Sequence, residues 1–124
     1  MPRAAAGEPG LRHLRVSFAG EFYMGPGRAD LLQGIAETGS ISAAGKRMDM
    51  SYKRAWSLVQ ALNEGWGSPL VVASRGGTAQ GGASLTEDGA FVLQHYRAMQ
   101  KSTAAAIAAD VDAITRRLDI SNRK

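Results

Sequence analysis

Two short helical patterns separated by a tight turn constrain the fold of this chain more than any other feature of its 124 residues. Ser40 is a favourable N-cap for a helix over 41–48, and Ser51 is a favourable N-cap for a second helix that Gly65 ends. The small residues at 43–45 would let the two helices cross closely. Two crossing helices joined by about three residues predict a helix-turn-helix unit.

The predicted second helix has an apolar side and a polar side. Apolar residues recur at helical spacing on its inner side, at Ala55, Leu58, Val59 and Leu62. Polar residues occupy its outer side, at Lys53, Ser57, Gln60 and Glu64. Trp56 follows the inward-facing Ala55, so we predict that it packs in the core, with stacking on a base as the alternative, and we predict packing for Trp66 as well. A plain helical hairpin is the alternative, but it would need neither the small-residue crossing nor the polar side.

The remaining patterns predict one strand, one helix, a hairpin and a long last helix. The predicted elements are a strand over 13–18, a helix over 26–38, strands over 70–74 and 83–85, and a helix from Thr86 to Leu118. Leu14, Val16 and Phe18 would lie on the buried side of the first strand. Four glycines between 75 and 82 predict a loose hairpin tip. The fold class is therefore mainly α with a small β wing, a winged helix-turn-helix.

Length and charge indicate one small basic domain. We predict a disordered arm over 1–10, a single domain over 11–118 and a basic tail over 119–124. The formal net charge is +4, and residues 40–75 hold five basic and two acidic side chains. A localised basic patch of this kind is typical of a protein that binds nucleic acid or another anionic surface.

Composition and motifs exclude several other classes of protein. The chain has no cysteine and only His13 and His95 as histidines, so we predict no disulfide, no metal site and no cofactor. It has no export signal and no apolar run near the ~18 residues of a membrane span, so we predict a cytoplasmic protein without a membrane partner. The glycine-rich segment lacks the Gly-Lys-Ser/Thr ending of a phosphate-binding loop, and no catalytic constellation is visible. We therefore predict that the chain is not an enzyme.

A helix-turn-helix places its second helix in the major groove of duplex DNA. The candidate DNA-contacting residues are Lys46, Arg47, Ser51, Tyr52, Lys53, Arg54, Ser57, Gln60 and Arg75. Lys53 or Arg54 can donate to guanine, and Gln60 can pair with adenine. Arg75, at the base of the hairpin tip, can reach the phosphate backbone or the minor groove.

The last helix is too long for the domain that it belongs to. A last helix of 31 residues would span roughly 46 Å, so its far half must bury its apolar side chains against something outside the domain. A symmetric homodimer is the simplest solution. Its predicted contacts are Tyr96, Met99, Ile107, Val111, Ile114 and Leu118. A frayed monomeric tail and a heteromeric coil in a protein–protein interaction module are the alternatives.

The run GSISAAGKRMDMSYKRAW, followed after the glycine-rich tip by GGASLTEDG, resembles the N-terminal DNA-binding domain of the ModE family of molybdate-responsive bacterial repressors. It resembles the winged helix of LysR-type regulators more distantly. The resemblance covers residues 14–118, and Ser51-Tyr52-Lys53 followed by Ala55-Trp56 is its most specific part. It implies a sequence-specific transcriptional regulator with a winged-helix fold that dimerises through the long last helix.

The chain departs from the ModE pattern in three respects. Asp49 stands at the turn, where the family usually has glycine, so we expect a left-handed conformation with some strain. The family's wing lysine is replaced within Thr78-Ala79-Gln80, which predicts weak contacts from the wing to phosphate. Full-length members continue into oxyanion-binding domains, whereas this sequence stops at Lys124. We therefore do not carry molybdate binding over to this chain, and expect that any response to molybdenum would need a separate effector-sensing protein or a different signal.

Overall fold

The computed structural model describes residues 7–74 and 82–118, and its helices follow the predicted order. The elements are β1 (Val16–Ser17), β2 (Tyr23–Met24), α1 (Pro26–Thr38), α2 (Ile41–Arg47), α3 (Tyr52–Trp66), β3 (Val71–Ser74), β4 (Gly82–Leu85) and α4 (Glu87–Arg117). β1 pairs with β2, and β3 pairs with β4, both antiparallel. The mainly α fold with a small β wing is confirmed, and the β3–β4 hairpin is called the wing below.

Parts of three predicted segments lie outside the described residues. They are residues 1–6 of the arm, residues 75–81 of the hairpin tip, which include Arg75, and residues 119–124 of the tail. Within the described ranges, no helix combines the length and apolar character needed to cross a membrane.

Hydroxyl side chains begin three of the four helices, as the sequence predicts. The side-chain oxygens of Ser40, Ser51 and Thr86 each accept a hydrogen bond from the backbone N–H three residues later, at 3.0, 3.1 and 3.0 Å. These bonds satisfy N–H groups that have no partner inside the helix. Glu87 and Asp88 add negative charge to the first turn of α4, where the helix dipole favours it.

Gly67, and not Gly65, ends α3. Gly67 has φ +97°, a left-handed conformation that favours glycine, and its N–H donates to the Asn63 carbonyl at 3.0 Å. Gly65 lies in the last turn of the helix, where a Cβ would stand 3.3 Å from the Phe22 ring. The predicted end at Gly65 is therefore wrong, because that glycine serves close packing and does not terminate the helix.

The N-terminal strand is shorter than the predicted one over 13–18, and it pairs with a strand that the sequence reasoning missed. Gly20, at φ +66°, reverses the chain, and the Phe18 N–H donates to the Phe22 carbonyl at 2.9 Å. After this turn Phe22 is buried and Phe18 is exposed. The predicted burial of Phe18 is wrong because the chain has already left the strand at this residue.

The core lies where α1 meets the helix-turn-helix and the first half of α4. Its largest fully buried side chains are Tyr96, Met24, Leu31, Leu32, Ile35, Leu62, Leu70, Gln100 and Val59. A Cβ on Gly34 would come within 2.9 Å of the Ala44 methyl, and one on Gly45 within 3.0 Å of the Ala55 methyl. The predicted close crossing of helices through small residues is confirmed.

Tyr96, which the sequence predicts to contact a second copy, lies in the core of its own chain. It is fully buried, and its hydroxyl donates to the Leu14 carbonyl at 2.5 Å. Met99, one turn later, is partly buried against the same core. The stripe is continuous, as predicted, but its first part covers α1 and the N-terminal segment, so Tyr96 is unavailable to a partner.

Candidate nucleic-acid interface

The turn between α2 and α3 sets the direction of α3. Asp49 has φ +56°, so the left-handed conformation expected of it is present. The N–H of Asp49 donates to the Lys46 carbonyl at 3.1 Å, and the N–H of Met50 donates to the Gly45 carbonyl at 3.0 Å. Aspartate is one of the few residues other than glycine that visit this conformation routinely. The turn therefore forms without glycine.

Two parallel rows of side chains divide α3. Ala55, Val59 and Leu62 form the inner row and are buried. The outer row of Lys53, Ser57 and Gln60 is exposed. The outer row has the same spacing but is displaced by two residues, which is roughly 200° of rotation about a helix of 3.6 residues per turn. Burial of the inner row therefore directs the outer row into solvent.

The first turn of α3 adds further exposed candidates. Tyr52 and Arg54 are exposed, as is the N-cap Ser51. The Ser51 hydroxyl oxygen accepts the capping bond, which leaves its proton available for donation. Arg54 lies on the flank of α3 opposite to Tyr52, because the two differ by about 200° around the helix. The first turn thus widens the polar surface on both sides of the outer row.

Trp56 is exposed to 44%, and the prediction that it packs in the core is wrong. It follows the buried Ala55 directly, and one residue is about 100° of rotation, which takes the indole off the buried side. Trp66 packs edge-on against Phe22, with ring centroids 5.3 Å apart, and its Nε1 donates to Asp88 at 3.1 Å. The predicted packing role of Trp66 is confirmed, although part of its surface stays exposed.

The two basic residues of α2 differ in their surroundings. Lys46 is exposed. Arg47 forms an ion pair with Glu37 on α1, with 2.6 Å between Nη1 and Oε1, and both side chains are about half exposed. Hydrogen bonds from Arg47 and from Gln33 hold the pKa of the Glu37 carboxyl below its usual range. The ion pair holds the guanidinium beside the C-terminal end of α1 and uses one of its N–H donor groups.

Asn63 links α3 to the wing, a role that the sequence reasoning missed. Its side-chain oxygen accepts from the N–H groups of Leu70 and Val71, at 2.8 and 3.2 Å, and its nitrogen donates to the Val71 carbonyl at 3.1 Å. On the other strand, the Ala83 N–H donates to the Gly39 carbonyl at 2.8 Å. The wing is thus tied to both α3 and the end of α1. A polar residue in the last turns of a helix is too common to signal this in advance.

Arg97 connects α4 to α1 through two hydrogen bonds and forms a third within α4, a role that the sequence reasoning also missed. Its guanidinium donates to Gln33, Gln100 and Asp30 at 3.0, 3.0 and 2.9 Å. Gln100 is almost fully buried. The contacts with α1 lie where α4 leaves the core, directly before its more exposed second half. The sequence gives only a weak signal of this role, because Arg97 and Gln100 are simply two polar residues on a side of α4 that is otherwise apolar.

No group of three or more His, Cys, Asp or Glu residues that could hold a metal ion occurs in the described part of the chain. The described candidates that the structure brings together are those on α2 and α3. Arg75 lies outside the described residues, and the dimer candidates beyond Met99 lie on the second half of α4 or, for Leu118, directly after its end.

The chain is 46% identical over 81 residues to the molybdenum-pterin-binding protein MopB of Rhodobacter capsulatus, a match of 65% of this chain and 30% of that protein. It is 38% identical over 80 residues to the molybdenum transport protein ModE of Azotobacter vinelandii, covering 64% and 30%. The chain therefore spans about a third of the length of these relatives.

A solved structure and a family description agree with the fold. A chain in the structure titled "Crystal structure of CbnR_DBD-DNA complex" superposes with a TM-score of 0.57 and 24% identity, covering 70% of this chain and 94% of that chain. Residues 28–90, about half of the sequence, match the family described as bacterial regulatory helix-turn-helix protein, lysR family. Those residues include α1, the helix-turn-helix and the start of α4. The chain therefore belongs to the lysR family of bacterial regulatory helix-turn-helix proteins.

Proposed function

We propose that this chain binds double-stranded DNA sequence-specifically and regulates transcription, with α3 lying in the major groove. The observation that carries the proposal is the exposed row of Lys53, Ser57 and Gln60, held outward by the buried row beneath it. The relatives support it, because one is named transcriptional regulator ModE, of Haemophilus influenzae, at 33% identity over 89 residues. The solved structure that superposes on this chain is described as a complex with DNA. A bacterial regulator of this kind works in the cytoplasm.

The proposed contacts divide into those that read bases and those that hold the backbone. Lys53 or Arg54 donates to guanine O6 and N7, and Gln60 pairs with adenine, while Ser57 contacts a nearby base edge. The proposed phosphate contacts are Ser51, Tyr52, Lys46, Arg47 and Arg75. Phosphate contacts fix the register of the protein on the duplex, whereas base contacts select the sequence.

We also propose that two copies pair through the second half of α4. Ile107 and Val111 are partly exposed along this half, and Ile114 and Leu118 are more exposed still. A second copy would cover the four side chains, because a symmetric pair presents the same stripe twice. It would also supply a second α3 for the next major groove, about 34 Å along the duplex. The homodimer thus accounts for both the length of α4 and its exposed stripe.

The proposal assigns effector sensing to a separate protein or domain. Molybdenum appears in the names of full-length relatives, and this chain matches about a third of each. Regulation would then reach the DNA-binding unit through a contact with the sensing partner.

A salt-controlled titration tests DNA binding. The protein should bind duplexes selected from a randomised pool, and its binding constant should fall steeply as salt rises. The logarithm of the binding constant plotted against the logarithm of the salt concentration should have a slope of roughly −0.9 per phosphate neutralised. Lys53→Ala should weaken binding to the selected duplex roughly tenfold and relax its sequence preference, as loss of a base contact does. Lys101→Ala, which removes an exposed lysine from α4, is the control and should have little effect.

A different set of results would contradict the assignment. Equal affinity and sequence preference for Lys53→Ala and the unmodified protein would show that α3 is not the reading helix. A flat salt dependence with no selected sequence would instead favour the protein–protein interaction module, because a protein interface does not release phosphate counterions.

A further inference from the structure

Two large aromatic side chains stand exposed on the helix proposed to enter the groove. Tyr52 is 57% exposed and Trp56 is 44% exposed, and they are one helical turn apart on α3. Contiguous apolar surface that a soluble protein leaves exposed commonly marks a binding site. The polar residues of α3 account for hydrogen bonding to base edges but leave this apolar surface without a function.

Helical spacing joins the aromatic pair to the polar row. Trp56 lies four residues after Tyr52 and four before Gln60, and it is three residues from Lys53. Residues three or four apart are neighbours on a helix surface. An orientation of α3 that brings Lys53 and Gln60 to base edges therefore brings the indole of Trp56 into the same groove.

We propose that Trp56, with Tyr52 beside it, recognises the C5-methyl group of a thymine in each half-site, the part of the duplex contacted by one copy. The thymine methyl is the apolar group that a base pair presents in the major groove, and apolar side chains recognise it by excluding water. The inference rests on the proposed DNA binding and deepens it, because it names a base chemistry that Lys53 and Gln60 do not read. It makes Trp56 a residue that determines specificity.

Deoxyuridine substitution tests the inference, since uracil differs from thymine in the base only by lacking the methyl. A duplex selected by the unmodified protein is resynthesised with each thymine replaced singly by deoxyuridine. We expect one position in each half-site where the change weakens binding about fourfold, the effect of one buried methyl. Trp56→Ala should weaken binding to the thymine duplex and show no further loss with deoxyuridine at that position.

Two further variants separate recognition from folding. Trp56→Phe keeps an aromatic ring and should retain part of the deoxyuridine effect, so the inference stays testable if Trp56→Ala unfolds. Phe91→Ala removes an equally exposed aromatic residue from α4 and should leave both the affinity and the deoxyuridine effect unchanged. Thermal unfolding of each variant checks that the fold is intact.

The outcomes are distinguishable. Unchanged affinity at every deoxyuridine position overturns the inference while leaving DNA binding intact, and so does a full deoxyuridine penalty in folded Trp56→Ala. Absence of any salt-dependent, sequence-selective binding by the unmodified protein overturns the proposed function and this inference together.

Discussion

The two halves of α4 share one helix and one spacing of apolar side chains, yet they meet different surroundings. In the first half, Val92, Tyr96 and Gln100 are buried against the rest of the chain. In the second half, Ile114 is 71% exposed and Leu118 is 49% exposed. A periodic row of apolar side chains therefore identifies a side of the helix that can be buried. Whether it is buried within the same chain depends on where the rest of the domain lies.

Removal of Tyr96 should have the largest effect on folding. Tyr96→Ala takes away a fully buried aromatic side chain and should lower the free energy of unfolding by about 3–5 kcal/mol in urea denaturation. Tyr96→Phe removes only the hydroxyl that donates to Leu14 and should cost about 1 kcal/mol. A loss below ~1 kcal/mol for Tyr96→Ala would show that the first half of α4 contributes little to the core.

Introduction of a charge into the second half should instead affect association. Ile114→Glu places a carboxylate in the proposed interface between copies and should raise the dissociation constant of the dimer roughly tenfold or more. Sedimentation velocity at micromolar concentration measures this, with circular dichroism as a check on helix content. Ala113→Glu adds the same charge beside the stripe and should leave the dimer largely intact. A monomeric unmodified protein at these concentrations would contradict the proposed homodimer.

Loss of the exposed ion pair in the second half should have the smallest effect. Arg116 Nε lies 2.9 Å from Asp112 Oδ2, and both side chains are largely exposed. Because water and salt screen such pairs, Arg116→Ala should lower the free energy of unfolding by at most about 0.5 kcal/mol. Asp112→Ala should behave alike. A loss above ~1 kcal/mol in urea denaturation would mean that this end of α4 is covered more closely than its exposure indicates.

Features that depend on neighbouring residues in the sequence could be predicted well. The caps at Ser40, Ser51 and Thr86 and the left-handed Asp49 each involve a bond or a conformation within a few residues. The small-residue crossing is also local, because the two helices follow one another directly. These features were sufficient to identify the helix-turn-helix and its exposed polar row.

Features that depend on distant parts of the chain could not be predicted. Trp56 and Ala55 are adjacent in sequence, but only the packing of α3 on α2 decides which of them is covered. Asn63 and Arg97 look like ordinary polar residues in the sequence, because their hydrogen-bond partners lie at the wing and on α1. The two-residue strand β2 is too short to leave a periodic pattern.

The amino-acid sequence by itself determined where the helices begin, the turn and the two-sided character of α3, because capping bonds and helical spacing act over one or two turns. Only the tertiary structure decided that Tyr96 belongs to the core, that Trp56 faces outward and that Arg97 anchors α4. The physical reason is that burial depends on which surfaces meet in space, and residues far apart in the sequence supply those surfaces.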